Sequence, residues 1–361
     1  MVDGKLSVAV VGLGRAGHVH LRSLVSLSTK ARIAWVVDLN AETAARVAAV
    51  HECKATTDID DALADADLDA VIICSATYTH FDFTMRALNA RKAVFTEKPI
   101  SHDPAELEEV LDVAMRSNLV FCTGYQRRCD KNFRALKQQL DSGAIGSVRL
   151  IKCTSRDNPE PPIEYLKVSG GIFHDMLCHD FDMLHFLTGE FPETVYSVGH
   201  CYNPQIEAMG DCDTVVVTLK YASGLLATVD TSRVACYGYD QRIEVLGELG
   251  MAQANNEHES TVTVATARGY VGAKSAFSFP ERYMHTYLTE IAEFVEQVKA
   301  RRPDPEAVTR RHVILEKVTT AAELSWRLKR EVRIADVDEL RDKVPVSTLH
   351  GPVKTKVPLA A

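Results

Sequence analysis

The chain has 361 residues, more than one hydrophobic core usually organises, and with 46% hydrophobic and 25% charged residues it reads as two folded domains, not as a disordered or fibrous protein. Its formal charge is -8 with no run of five like charges, which gives no support to a nucleic-acid partner. No stretch reaches the roughly 18 apolar residues of a membrane span, and the opening MVDGKLSVAVVGLG lacks a secretory core and cleavage site, so no membrane partner and a cytoplasmic location are expected.

The first third alternates β-rich runs with helical patterns. Leu6 to Val11 is followed by a helix from about Ala16, and Ile33 to Val37 by a helix from Ala41. The rhythm continues through Ala70 to Cys74, a helix over His80 to Asn89, Ala93 to Thr96, a helix over Pro104 to Ser117, and Val120 to Cys122. Strands apolar on both faces, each followed by a helix, predict an α/β domain over residues 1–124 with a doubly wound parallel sheet. After Gly124 the strand candidates Ser147 to Thr154, Thr194 to Cys201, Asp213 to Tyr221, Leu225 to Ser232 and Arg242 to Gly247 follow one another with few helices between. This predicts an α+β domain over 125–340 with a large, mostly antiparallel open sheet, its hairpins turning at Ser223-Gly224 and Gly247 to Gly250. Helical patterns return at Tyr283 to Arg301 and Glu306 to Lys329, and 341–361, with three prolines, reads as an extended tail. The nine cysteines are scattered singly with no C-x-x-C pair, so they read as reduced residues and not as ligands of zinc or an iron–sulfur cluster.

Three motifs carry chemistry. The first, Gly12-Leu13-Gly14-Arg15-Ala16-Gly17, lies directly between a strand and a helix, the setting of a dinucleotide-binding Rossmann turn. Gly12 permits the tight turn, Gly14 lets the backbone approach a pyrophosphate, and Gly17 lets helix and strand pack closely. A ligand-free turn would use the same letters. Asp38 stands at the end of the second strand, 21 residues after Gly17, where a carboxylate accepts hydrogen bonds from a ribose and repels a 2′-phosphate, favouring NAD over NADP; it is equally placed to cap the next helix. The second motif, Glu97-Lys98-Pro99, puts a charge pair at the ligand-binding edge of the sheet, where Lys98 can stabilise a developing alkoxide, although a solvated strand end with a turn proline has the same sequence. The third runs from Gly170-Gly171 through His174, Asp175, Cys178 and His179 to Asp182. In a helix, Asp175, His179 and Asp182 share a face, and His179 can serve as general base for a hydroxyl proton, with Asp175 holding the ring or a substrate hydroxyl. A solvated polar stripe is the bland alternative. A metal site ranks lowest, because His174 and His179 do not share a face and no third ligand is evident.

Taken with Ser75 to His80 and Gly124 to Arg128, these motifs resemble the Gfo/Idh/MocA oxidoreductases over most of the chain, and within them the myo-inositol 2-dehydrogenases most. The resemblance implies an NAD-dependent enzyme that oxidises a secondary hydroxyl of a cyclic polyol or sugar to the ketone. It implies Lys98, Asp175 and His179 as catalytic residues, with Ser75, Thr77, His80, Glu97 and Gln126 near the nicotinamide and Arg15 and Ala16 in the phosphate turn. His80 is alternatively a helix cap, and Gln126 departs from the family's asparagine. It further implies a cis Lys98–Pro99 peptide, Arg127, Asp157 and Tyr283 as substrate contacts, and a homodimer or homotetramer built through the second sheet. A non-catalytic cofactor-binding sensor, and a dihydrodiol or sugar dehydrogenase using NADP, are the competing functions; the filled lysine, aspartate and histidine positions speak against the first and Asp38 against the second.

Overall fold

The computed structural model describes residues 4–344. The first half is built of β1 (Leu6–Val11), α1 (Arg15–Ser26), β2 (Ala31–Val37), α2 (Ala41–His51), β3 (Lys54–Thr56), α3 (Ile59–Leu63), β4 (Ala70–Ile73), α4 (Thr77–Asn89), β5 (Ala93–Glu97), α5 (Pro104–Ser117) and β6 (Phe121–Gly124). The strands form one parallel sheet in the order β3-β2-β1-β4-β5-β6. Every residue of β1 and β4 is buried, as expected for central strands covered by helices on both faces. The order reverses beside β1, and α/β sheets bind ligands at the carboxyl edge of such a switch point.

A 3₁₀ turn at Gln126–Cys129 leads into the second half. There α6 (Lys131–Asp141), β7 (Val148–Arg156), α7 (Ile163–Leu166), a π-helical turn at Phe173–Leu177 and α8 (Cys178–Thr188) are followed by β8 (Thr194–His200), α9 (Pro204–Glu207), β9 (Thr214–Lys220), β10 (Leu226–Ser232), β11 (Asp240–Gly247) and β12 (Met251–Ala254). A hairpin of β13 (Thr263–Thr266) and β14 (Gly269–Gly272) precedes α10 (Phe279–Ala300), α11 (Arg311–Leu328), β15 (Val332–Arg333) and α12 (Val337–Arg341). The large sheet has the order β12-β11-β7-β10-β9-β8-β15. It is mostly antiparallel, as expected, with one parallel pair, β7 and β10. The helical stretch between β7 and β8 acts as a crossover, so the β8-β9-β10 meander returns to β7 in the same direction.

The strand pattern of β9, with Val215, Val217 and Leu219 buried and their neighbours half or fully exposed, gives this sheet one core face and one open face. The two halves share packing. In α10, Ile291, Phe294 and Val295 are buried in the same core as Leu6, Leu21, Leu24 and Phe95, so this helix crosses the sequence division at Gly124. The rings of Phe95 and Phe294 meet edge to face at 5.8 Å. Three boundaries differ from the sequence pattern. The helix of 77–89 begins three residues before His80, α10 begins at Phe279 and kinks at Tyr283, and the last long helix begins at Arg311 after a 3₁₀ turn at Pro305–Val308. Packing continues past the expected tail boundary, because Arg341 donates to the His102 carbonyl at 2.7 Å and Val344 packs on the core. The rest of that tail lies outside the described residues. Among those, no helix is long and apolar enough to cross a membrane.

Candidate active site

The carboxyl edge of the first sheet faces the 163–179 segment across a cavity of about 590 Å³. Its floor begins with the glycine turn. Gly12 adopts φ +87°, and a Cβ there would lie 2.5 Å from the Ser75 backbone; one on Gly17 would lie 2.0 Å from the Gly12 carbonyl oxygen. These two glycines are demanded by packing. Gly14 is different: nothing lies within 4 Å of where its Cβ would be, and no side chain caps α1. The backbone at Gly14 is therefore open to close approach, and the first amides of α1 are available to an anion, which fits a dinucleotide pyrophosphate. Asp38 accepts the Leu13 and Asn40 amides at 2.8 and 2.9 Å. It does not cap α2: Asn40 does, accepting the Thr43 amide at 2.9 Å. That leaves the Asp38 carboxylate on the cavity wall beside the turn, where it fits a ribose diol.

Gly12, Gly14, Arg15, Ala16, Asp38, Ser75, Thr77, His80, Glu97 and Gln126 all line this cavity, whereas Gly17 does not and packs against the Gly12 carbonyl. His80 is buried in the first turn of α4, its ring nitrogens 2.8 Å from the Pro99 carbonyl and 3.1 Å from that of Ser75. Burial lowers its pKa, so the ring is neutral and donates to one of these carbonyls at a time. Glu97 meets the buried His20 ring at 2.6 Å, and Gly124 leaves it room, since a Cβ there would lie 2.8 Å from Glu97 Oε2.

The Lys98–Pro99 peptide is cis. Lys98 donates from Nζ to the Asp175 carbonyl at 2.5 Å and lies 3.5 Å from Asp175 Oδ1. Asp175 Oδ1 also accepts the Tyr165 hydroxyl at 2.8 Å, and Oδ2 accepts from Arg233 at 3.2 Å. Burial pushes the Asp175 carboxyl up, but Lys98, Arg233 and the Tyr165 hydroxyl outweigh it and hold the group below the usual carboxylate range. Burial likewise works against the Lys98 ammonium, and nearby anionic groups, Asp175 and Glu97 among them, outweigh it and keep the pKa above the ordinary lysine value. Lys98 is therefore a fixed cation. His179 lines the same cavity; burial, then the positive charges of Lys98 and Arg127, drive its pKa well below 6.5. It is neutral at physiological pH, and its Nδ1 is buried with no hydrogen-bond partner among the described residues.

The other expected residues are divided. Arg127 lines the cavity while its buried guanidinium donates to Asp180 at 2.7 Å and Ser155 at 3.2 Å. Asp157 lines it too, with a pKa raised to about 6, chiefly by burial and then by Asp175. Tyr283 does not line the cavity; it is fully buried behind Tyr239, ring centroids 5.9 Å apart. Asp182 does not join Asp175 and His179 on one face. The π turn widens the helix just before Cys178 and upsets i, i+4, i+7 alignment, and Asp182 binds Arg128 through two 2.7 Å bonds instead. Sequence spacing alone cannot show a π turn. Tyr165, Arg233 and Tyr239, which sit on or beneath the cavity wall, carry no motif that marks them in advance.

His174 points away, into a group with His102 and Glu316 whose ligand-type atoms lie within 4.8 Å of one another. The expectation that His174 has no third companion misses Glu316, which approaches from α11. Its ring lies 3.1 Å from both Glu316 and Glu323, an ion-pair geometry. Burial lowers the His174 pKa, but the two carboxylates reverse this and raise it to about 10, while Glu316, raised by burial, is brought down to about 2 chiefly by His174.

Residues 6–125 match the oxidoreductase family with an NAD-binding Rossmann fold, and residues 133–253 match the GFO/IDH/MocA C-terminal domain. The chain is 38% identical over 303 residues to the myo-inositol 2-dehydrogenase of Thermotoga maritima, covering 82% of this chain and 90% of that one. It is 40% identical over 291 residues to the inositol 2-dehydrogenase of Rhizobium meliloti, covering 80% and 88%. Among solved structures, the scyllo-inositol dehydrogenase of Lactobacillus casei with bound NAD(H) and scyllo-inositol superposes with a TM-score of 0.86 at 28% identity, covering 92% of this chain and 99% of that one. A glycine turn open at Gly14, an acidic second-strand end and a match across both halves make this chain a member of the GFO/IDH/MocA oxidoreductases.

Proposed function

We propose that this protein oxidises a secondary hydroxyl of an inositol-type cyclic polyol to the ketone, with NAD as oxidant and His179, Lys98 and Asp175 as the catalytic residues. The observation that carries the proposal is the meeting, in one cavity, of a neutral imidazole, a fixed ammonium and the open glycine turn. Gly12, Gly14, Arg15 and the α1 amides would hold the pyrophosphate and Asp38 the adenosine ribose, a carboxylate that favours NAD over NADP. When bound, NAD accepts the hydrogen and electron pair that leave the carbinol carbon. His179 takes the hydroxyl proton, for which its neutral form is required. Lys98 stabilises the oxygen as negative charge develops, and Asp175, held anionic by three partners, fixes the ammonium. Arg127 and Asp157, on the cavity wall, supply hydroxyl contacts. All nine cysteines are free, which supports a reducing compartment such as the cytoplasm. The open face of the second sheet, with Val198 and Val216 paired in register and each about half exposed, supports a homo-oligomer.

The test is a pair of substitutions. His179→Ala and Lys98→Ala should each lower kcat for myo-inositol oxidation by about 100-fold or more, the scale of acid–base and electrostatic contributions, with NAD binding retained. Near-normal turnover in either variant would remove that residue from the mechanism, and NAD binding without turnover in the unsubstituted protein across a polyol panel would favour a sensor.

A further inference from the structure

Beneath the cavity, at the end of β10, Arg233 is fully buried. A buried guanidinium is retained only where its hydrogen bonds are met by anions. Here one amino group reaches Asp175 Oδ2 at 3.2 Å and another reaches Asp211 Oδ2 at 3.4 Å. Asp211 in turn accepts the Ile172 amide with both carboxylate oxygens at 3.1 Å, and a Cβ on Gly171, whose φ is +78°, would lie 3.1 Å from the same carboxylate. Asp211 is thus moulded to the Gly170-Gly171 turn that starts the Phe173–Leu177 segment, and Arg233 joins that turn to the side chain of Asp175.

We propose that Arg233 is a positioning residue for the reaction, holding the Asp175 carboxylate against Lys98 from below while Asp211 ties the same guanidinium to the Gly170-Gly171 turn. Arg233 is not on the cavity wall and does not meet substrate; it acts through Asp175. The other holders of Asp175 differ in kind. Tyr165 donates one neutral hydrogen bond and Lys98 lies 3.5 Å from the same oxygen, so among the described residues it is Arg233 that engages Oδ2. Charged groups facing Arg233 are Asp175, Asp211 and, at longer range, Asp157; those facing Asp175 are Lys98, Arg233 and Asp157. Removing the guanidinium therefore leaves two cavity carboxylates with less positive charge beside them, and both must titrate higher.

The inference rests on the proposed roles of Lys98, Asp175 and His179, and the experiment separates the two. Arg233→Gln should lower kcat/KM by about 10- to 100-fold, the scale of a charge-assisted hydrogen bond. The acid limb of kcat/KM should also move up by about one pH unit or more, as a carboxylate does on losing an arginine. Arg233→Lys should restore part of both, and NAD affinity should stay unchanged, because Arg233 does not line the cavity. Should the glutamine variant fold poorly, Asp211→Asn is the test: it removes the anion that competes for Arg233 and strengthens the hold of Arg233 on Asp175, so the acid limb should move down, and a limb unmoved or moved up in this variant overturns the inference. A purely structural role would lower activity with the limb unmoved in the Arg233→Gln variant, or upward in both variants, and either result overturns the inference. If Lys98→Ala and His179→Ala stay active, the proposed mechanism has failed; if they are inactive and Arg233→Gln keeps the parent pH profile, only this inference has.

Discussion

The cavity puts two carboxylates within one electrostatic neighbourhood and gives them different jobs. Asp175 is engaged by a lysine, an arginine and a tyrosine hydroxyl and stays ionised, whereas Asp157 has burial and Asp175 against it and titrates near pH 6. The carboxylate form of Asp157 is the stronger acceptor for a substrate hydroxyl, and because its pKa is raised, that form is present above about pH 6 and lost below it. His179, with a pKa driven well below 6.5, remains a competent base over the same interval. The expected outcome is a split: KM for myo-inositol rises as pH falls through about 6 while kcat stays nearly level, and Asp157→Asn removes the pH dependence of KM. Steady-state kinetics between pH 5 and pH 8 check it. A kcat that falls in step with the rise in KM would instead assign the titration to the base.

At the scale of elements, α11 is bolted to the π turn by charge. His174 lies between Glu316 and Glu323, and Arg327 pairs with Glu323 from the next turn of the helix. His102, its ring 5.0 Å from that of His174, brings in the segment after Lys98. The pH window follows from the shifts. The His174 pKa is raised, so its contribution to stability is complete below about 6.5 and is lost as pH rises through about 10. That of Glu316 is lowered, so its contribution is complete above about 4.5 and is lost as pH falls through about 2. Both are complete between these limits, and Glu316→Gln should destabilise the protein there by about 3 kcal/mol, the scale for removing one partner of a buried pair. The difference in unfolding free energy between parent and variant should narrow from pH 6.5 toward pH 10. Denaturant titrations at three pH values measure it, and a difference independent of pH would mean that the ring is not charged.

For the whole molecule, the open face of the second sheet is the surface on which the proposed homo-oligomer rests. Val198 and Val216 lie directly opposite one another on β8 and β9, with Tyr196 and Leu226 also exposed nearby, a patch that water covers poorly. The proposed homo-oligomer predicts that the protein elutes as a dimer or larger by light scattering, and that Val216→Asp shifts it toward smaller species while NAD binding survives. A monomeric parent protein at micromolar concentration would refute this.

What can be read without coordinates is what short-range physics controls. The glycine turn, the strand–helix alternation and the one-sided pattern of β9 follow from sterics at Gly12 and Gly17 and from which face of a strand must leave water. Lys98, Asp175 and His179 were each legible as candidates because their motifs are local. Their meeting was not, since Lys98 and Asp175 are 77 residues apart and Arg233 is a further 58 from Asp175. The π turn that separates Asp182 from the cavity, the parallel pairing of β7 with β10 and the burial of α10 in the first core belong to the same class. Each depends on which distant segment supplies the opposing surface, and that choice is made only when the two halves pack and every buried charge has to find its counter-ion.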